Sequence, residues 1–324
     1  MRRAAGLLLA GLGAFLVTFA LLLRWWVPEQ VIKFPLNEYS VTAFEGRGIT
    51  YFNRASLKEY TGVTAAAVQT IEGDVKSGTA STAVWGSFTA LEDQTHHVAI
   101  QSSSQRSAFN RRSGLLVNCC AAAIGSDTRV VQSGQGFVLP FGTRHRTYQI
   151  FDTTVLKPEP LTFAGTGTID GMAALKFVEH VASDRFGEQT LPGPLVGMKD
   201  QATVTLPEFL TATNTYWVDP VTGRPVDVTL DQTISLKDSG GATRLVLLGG
   251  QLSQTPASVR SAVASAQRDH AKITLITGTG PLTGFLAGVI ALVLGIVLVA
   301  RSRQPRVADY DDDEVVDLAG RAGR

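Results

Sequence analysis

The stretch 281-PLTGFLAGVIALVLGIVLVA-300 runs for twenty residues without a charge. At 1.5 Å per residue it covers about 30 Å, the thickness of a bilayer's hydrocarbon core. A second run of the same kind, 4-AAGLLLAGLGAFLVTFALLL-23, stands near the other end of the chain. Between them the pattern changes to short alternations rich in Val, Ile and Thr, punctuated by Gly, Asn, Asp and Pro. This arrangement predicts a mainly β domain of antiparallel sheets, barrel-like or two-lobed, bracketed by N- and C-terminal transmembrane α-helices.

Arg2 and Arg3 precede the first run, as they would in a secretory signal. Its apolar core is longer than a signal's, however, and no small-x-small cleavage site follows. Arg24, Trp25, Trp26 and Pro28 follow instead, a set suited to the membrane interface. The expectation is an uncleaved helix over 4–26 and a second over 281–300. Arg301, Arg303 and Arg306 follow the second run, so cations lie outside the pair at both ends. By the positive-inside rule both termini are expected in the cytoplasm, in a two-pass plasma-membrane protein. Residues 1–3 are then a short cytoplasmic N-terminus and 27–280 the extracytoplasmic domain. The tail 301–324 turns acidic at Asp309, and Asp311, Asp312, Asp313 and Glu314 repel one another. A solvated, disordered cytoplasmic segment is expected there. Gly11, Gly13, Gly284, Gly288 and Gly295 suit close helix packing rather than a water-filled lumen.

The charges balance, with 29 Lys and Arg against 28 Asp and Glu. A nucleic-acid partner would need a basic excess, and none exists. Strands are expected over Val63–Val75, Thr82–Leu91, Val226–Leu236 and Thr243–Leu248. Two turns open on Asn110 or Asp219 and close on Gly114 or Gly223, the chemistry of a hairpin. GTGTIDG at 165–171 reads as a hairpin or bulge rather than a phosphate cradle. The Gly- and Pro-rich 187-GEQTLPGPLVGMKD-200 reads as a surface loop and a lobe boundary. An amphipathic helix is expected over 256–272, with Thr255 as N-cap, Pro256 first, and Val259, Val263, Ala266 and His270 on one stripe. Gly278 and Gly280 predict a flexible or tight junction before the second membrane run.

No catalytic motif stands out, and the chain is expected not to be an enzyme, to hold no metal and to need no cofactor. His96 and His97 are adjacent and would point to opposite faces of a strand. Asp152, Asp170, Glu179 and Asp184 are carboxylates without a spacing that pairs them. Arg144, His145 and Arg146 form a basic cluster that would suit an anionic ligand. Cys119 and Cys120 are the two cysteines of the chain. In an oxidising compartment a structural vicinal disulfide is the expectation, with free buried thiols and an intermolecular or redox bond as alternatives. Two adjacent sulfurs alone make a poor metal site.

The ordered series VWGSF, AFNRRSG, VNCC, LPFGTRHRTYQIFDTT and YWVDPVTGRPVD, set between two membrane runs, resembles the actinobacterial PorA porin family. Cys119, Cys120, Phe141, Gly142, Tyr148, Asp152, Trp217, Asp219 and Gly223 match its motifs. The resemblance implies an actinobacterial cell-envelope protein. It also implies a role in binding or passing lipid or lipoglycan intermediates, or in lipomannan and lipoarabinomannan maturation. Membrane lipids, lipoglycan or glycosyltransferase machinery and a second copy of the chain are the partners implied. The family label implies the alternative, an oligomeric cell-wall channel. A β-barrel pore would not carry two long apolar helices. The architecture is also similar to that of scavenger-receptor class B proteins, which suggests an apolar cavity in the β body for acyl chains.

Overall fold

The computed structural model describes residues 2–301, so the acidic tail lies outside the described residues. They form two compact units, the terminal helices and residues 30–273.

In the helical unit, α1 (Arg2–Trp25) and α4 (Gly280–Arg301) pack antiparallel. A Cβ on Gly13 would stand 2.4 Å from the Leu292 nitrogen, and one on Gly295 2.4 Å from that of Ala10. Only glycine allows backbones this close, the small-residue logic of membrane helix pairs. Gly11, expected in the same seam, faces open space. Leu8, Leu12, Phe15, Leu286, Ile290 and Leu294 point outward and exposed, as a lipid-facing surface requires. Both helices are long and apolar enough to cross a membrane. A short helix, α2 (Val27–Val31), follows α1. Residues Leu275–Thr279 form a π-helical turn. The flexible or turned junction expected from Gly278 and Gly280 is therefore helical. A Cβ on Gly280 would lie 2.4 Å from the Leu275 oxygen, so this glycine admits the wide turn instead of breaking it.

The β unit is one antiparallel sheet curved into a half-barrel. Four long strands run as successive hairpins: β1 (Tyr39–Asn53), β2 (Lys58–Gly73), β3 (Thr82–Asp93) and β4 (Val98–Asn110). Two short strands, β5 (Leu116–Val117) and β6 (Ala123–Ile124), pair with β4. A second meander follows: β7 (Tyr148–Asp152), β8 (Lys157–Ile169), β9 (Met172–Pro192), β10 (Thr203–Val218), β11 (Pro225–Lys237) and β12 (Thr243–Gln254). The four strands expected from alternation are β2, β3, β11 and β12. Asp170 and Gly171, both at positive φ, make the hairpin expected within 165–171.

The meanders join along one seam, β1 against β12. Its register shifts between Glu45 and Thr50, where the chain bulges. A Cβ on Gly46 would lie 2.3 Å from the Gln251 carbonyl oxygen, and one on Gly250 2.6 Å from Ile49 Cδ1. The seam can therefore pack this closely only with glycine at 46, while Gly250 takes φ 133°, a conformation side-chain-bearing residues rarely adopt.

The outer margins meet at one end through Gln135. Its N–H donates to Gln149 O at 2.6 Å, and its carbonyl accepts from Phe151 N–H at 2.8 Å. Leu116 N–H donates to Gly134 O at 2.9 Å. Away from this stitch, the Val98–Ser103 margin of β4 pairs only with β3 among the described residues. Inside the stitched end, Phe34, Trp85, Phe109, Val138 and Phe151 form a buried cluster.

No lobe boundary falls at 187–200. β9 continues to Pro192 in register with β10, and the 3-10 helix Gly193–Val196 buries Val196 against Leu191 and Leu206. The Gly and Pro content there serves a turn within one sheet. We expect Gly46→Val to lower stability by about 2 kcal/mol or more, since a Cβ collides with backbone. Denaturant unfolding checks this, with Gly11→Val, whose Cβ meets nothing, as the near-neutral control.

Candidate functional site

Helix α3 (Pro256–Thr274) begins as expected, with Thr255 Oγ1 accepting from Ser258 N–H at 3.3 Å. Its apolar stripe buries Val263 and Ala266 against Met172, Ala174 and Val226. Polar contacts hold the helix at both ends. Ala43 N–H donates to Ser258 Oγ at 2.9 Å. Arg224 binds Glu38 through two nitrogens, at 2.9 and 2.7 Å, and approaches Asp269 at 3.9 Å. His270 Nδ1 sits 3.3 Å from the buried Asp219.

The other side of α3, with Ser258, Ser261, Ser265 and Arg268, faces a cavity of about 1420 Å³. The inner face of the sheet supplies the rest of its wall. Ser40, Thr42 and Phe44 stand opposite Ile71, Gln69 and Ala67, and these stand opposite Ser87, Thr89 and Leu91. On the far wall Glu179 stands opposite Asn214, Asn214 opposite Leu230, and Tyr216 opposite Val228. Leu248, Leu252 and Trp85 add apolar surface. The lining thus mixes aliphatic and aromatic groups with hydroxyls and amides, and carries few charges.

Hydrogen bonds link three strands across the far wall. Gln232 Nε2 donates to Asn214 Oδ1 at 3.2 Å, and Asn214 Nδ2 donates to Glu179 Oε2 at 2.8 Å. Tyr216 OH donates to the same oxygen at 3.3 Å. Glu179 is only 1% exposed. Burial pushes its carboxyl up to about 7; Asp152 and Glu159 add to the push, while the Asn214 and Tyr216 hydrogen bonds oppose it. Burial also raises Asp152, against the N–H groups of Val155 and Thr154 that it accepts. Lys157 pairs with Glu159 at 3.0 Å and with Asp184.

The expected site residues fall mostly elsewhere. Arg144, His145 and Arg146 lie exposed on a loop and do not line the cavity. His145 stacks on Phe163 at 4.4 Å, and Arg146 lies 4.9 Å over the Tyr148 ring. Tyr148 is buried and its hydroxyl accepts from Arg144 N–H. Phe141 stacks on Phe34 at 4.3 Å, and Gly142 takes φ 68°. Trp217 covers Gly167, where a Cβ would meet its ring at 2.7 Å. Asp219 caps its turn through Val221 and Thr222, and a Cβ on Gly223 would lie 2.1 Å from Leu139 O. Among these positions only Asp152 reaches the cavity.

His96 and His97 lie in a turn rather than a strand, the latter at φ 57°. His96 Nδ1 is 2.7 Å from Asp93, which also accepts from Tyr51 OH at 2.9 Å. Burial pushes Asp93 up, but these hydrogen bonds and two from the backbone outweigh it and hold the carboxyl at about 2. This is an anchor for the β3–β4 turn. Cys119 and Cys120 occupy a tight turn in which Cys120 and Ala121 take φ 61° and 58°. Their proximity follows from adjacency in the chain, and a bond between them would appear as an intact mass lighter by two hydrogens.

A family model described as Porin PorA matches residues 5–297. The chain belongs to the PorA family. Membership makes it a porin-like envelope protein associated with the membrane, in keeping with its two apolar helices. No curated protein matches the chain. In this PorA member the wall around Glu179 escaped the sequence reading. Its signal was present, since Glu179 shares a period-2 register with buried Leu175, Phe177 and Val181 in 175-LKFVEHVA-182.

A carboxyl raised above its unfolded value, here 4.5, costs stability as pH rises through the window from 4.5 to about 7. Glu179→Gln should therefore stabilise the protein at pH 8, by on the order of 1–3 kcal/mol, and change little at pH 4. Thermal unfolding at the two pH values measures this.

Proposed function

We infer that the cavity accepts amphiphiles, and that the protein binds or passes lipid or lipoglycan intermediates without catalysing a reaction on them. The observation that carries this is the lining itself. Its aliphatic and aromatic groups suit an acyl chain, and its hydroxyls and amides suit a polar head. The two charged ends of the apolar helices support an arrangement with both termini cytoplasmic and the β unit outside. A role beside glycosyltransferases in lipoglycan maturation follows from family resemblance. The non-enzymatic reading draws on the carboxylates: Asp152 holds a turn, and Asp184 is paired with Lys157.

A second reading, an oligomeric channel, is favoured by the family description. Thr89→Trp separates the two. Thr89 lines the cavity, half-buried, and a large side chain there removes space without breaking the sheet. Mass spectrometry of lipids copurifying with the full chain should find an amphiphile with the wild type and much less with the variant. Equal lipid in both, with conductance in planar bilayers, would favour the channel.

A further inference from the structure

Glu179 differs from the carboxylates around it. Asp152 accepts two turn N–H groups, while Glu159 and Asp184 share Lys157. Glu179 uses Oε2 for Asn214 and Tyr216, but Oε1 is buried with no hydrogen-bond partner. The residue lines the cavity while remaining 1% exposed. A carboxylate buried with one oxygen unpartnered carries a desolvation cost that a bound cation offsets.

The groups facing it set the sign of that cation's charge and its type. Asp152 from the end of β7, Glu159 from β8 and the Tyr216 phenol from β10 surround it, and Lys157 is already engaged. The local balance is negative. No cluster of three His, Cys, Asp or Glu stands ready for a metal among the described residues. Around the Asn214 and Gln232 amides, the wall on this side of the cavity is aliphatic and aromatic: Val228, Leu230, Ile234 and the Tyr216 ring. One unpartnered carboxylate oxygen beside apolar surface and a phenol ring matches an alkylammonium better than a hydrated metal ion.

We propose that Glu179, positioned by Asn214 and Gln232, is the subsite of the cavity that binds the ammonium group of an amine-bearing amphiphile. The alkyl part lies against Val228, Leu230 and Ile234. This rests on the reading of the cavity as a ligand space, and it names the head group the far wall selects. Burial holds the carboxyl near neutrality, so affinity for the amine rises as Glu179 ionises.

The test uses the full chain in lipid nanodiscs, with empty nanodiscs as the blank, titrated calorimetrically with hexylammonium, hexyl glucoside and hexanoate. Hexylammonium should bind in preference to the other two and tighten about tenfold between pH 6 and pH 8. Glu179→Gln, confirmed as folded by its thermal unfolding transition, should abolish both the preference and the pH dependence. If the variant binds the amine as well as the wild type does, or if wild-type affinity is flat with pH, the ammonium subsite is overturned. Binding of the glucoside without an amine preference overturns the subsite alone. Binding of none of the three overturns the ligand space as well.

Discussion

The β unit depends on one seam. β1 and β12 join two meanders that would otherwise each be an open sheet with two free margins. The bulge lets the two backbones approach at Gly46 more closely than any side chain there allows. Bulges bend a sheet and increase its twist, and this one lies where the two halves must turn toward each other. Curvature at the seam brings the distant margins together at Gln135 and leaves a concave inner face.

Helix α3 follows directly from the seam, because β12 leads into it and Thr255 N–H donates to Ala43 O on β1. Its apolar stripe seals the β8–β9 end, while its serines complete the cavity wall. The Arg224–Glu38 pair holds the N-terminal segment, the β10–β11 turn and α3 in one network. The cavity is thus a consequence of how the sheet is closed, and its polarity comes from which strand positions face inward.

Much of this was legible in the sequence. The two apolar runs, the alternation of β2, β3, β11 and β12, the capped start of α3 and the Asn110 and Asp219 turns each carry their signal within a few residues. The Asp-to-Gly spacing required both a side-chain acceptor and a positive φ, and both are present. The long-range pairing was not legible. Nothing near Gly46 announces that Gln251 will lie against it, so a single continuous sheet could not be told from two lobes. The Gly- and Pro-rich 187–200 stretch illustrates this, because its register with β10 is fixed by strands far away. The motif residues Phe141, Gly142 and Gly223 shape loops, and Trp217 covers Gly167 from β10. Glu179, one of four carboxylates the sequence offered without a pairing, gains its partners Asn214 and Tyr216 only through strand register.

The most direct measurement is a structure of the full chain purified from its own membrane without added ligand. Elongated density inside the half-barrel, between the Thr89 wall and the Asn214–Glu179 wall, is the predicted result. An inner face filled by its own side chains, with β1 and β12 drawn apart at Gly46, would contradict both the seam and the cavity it creates.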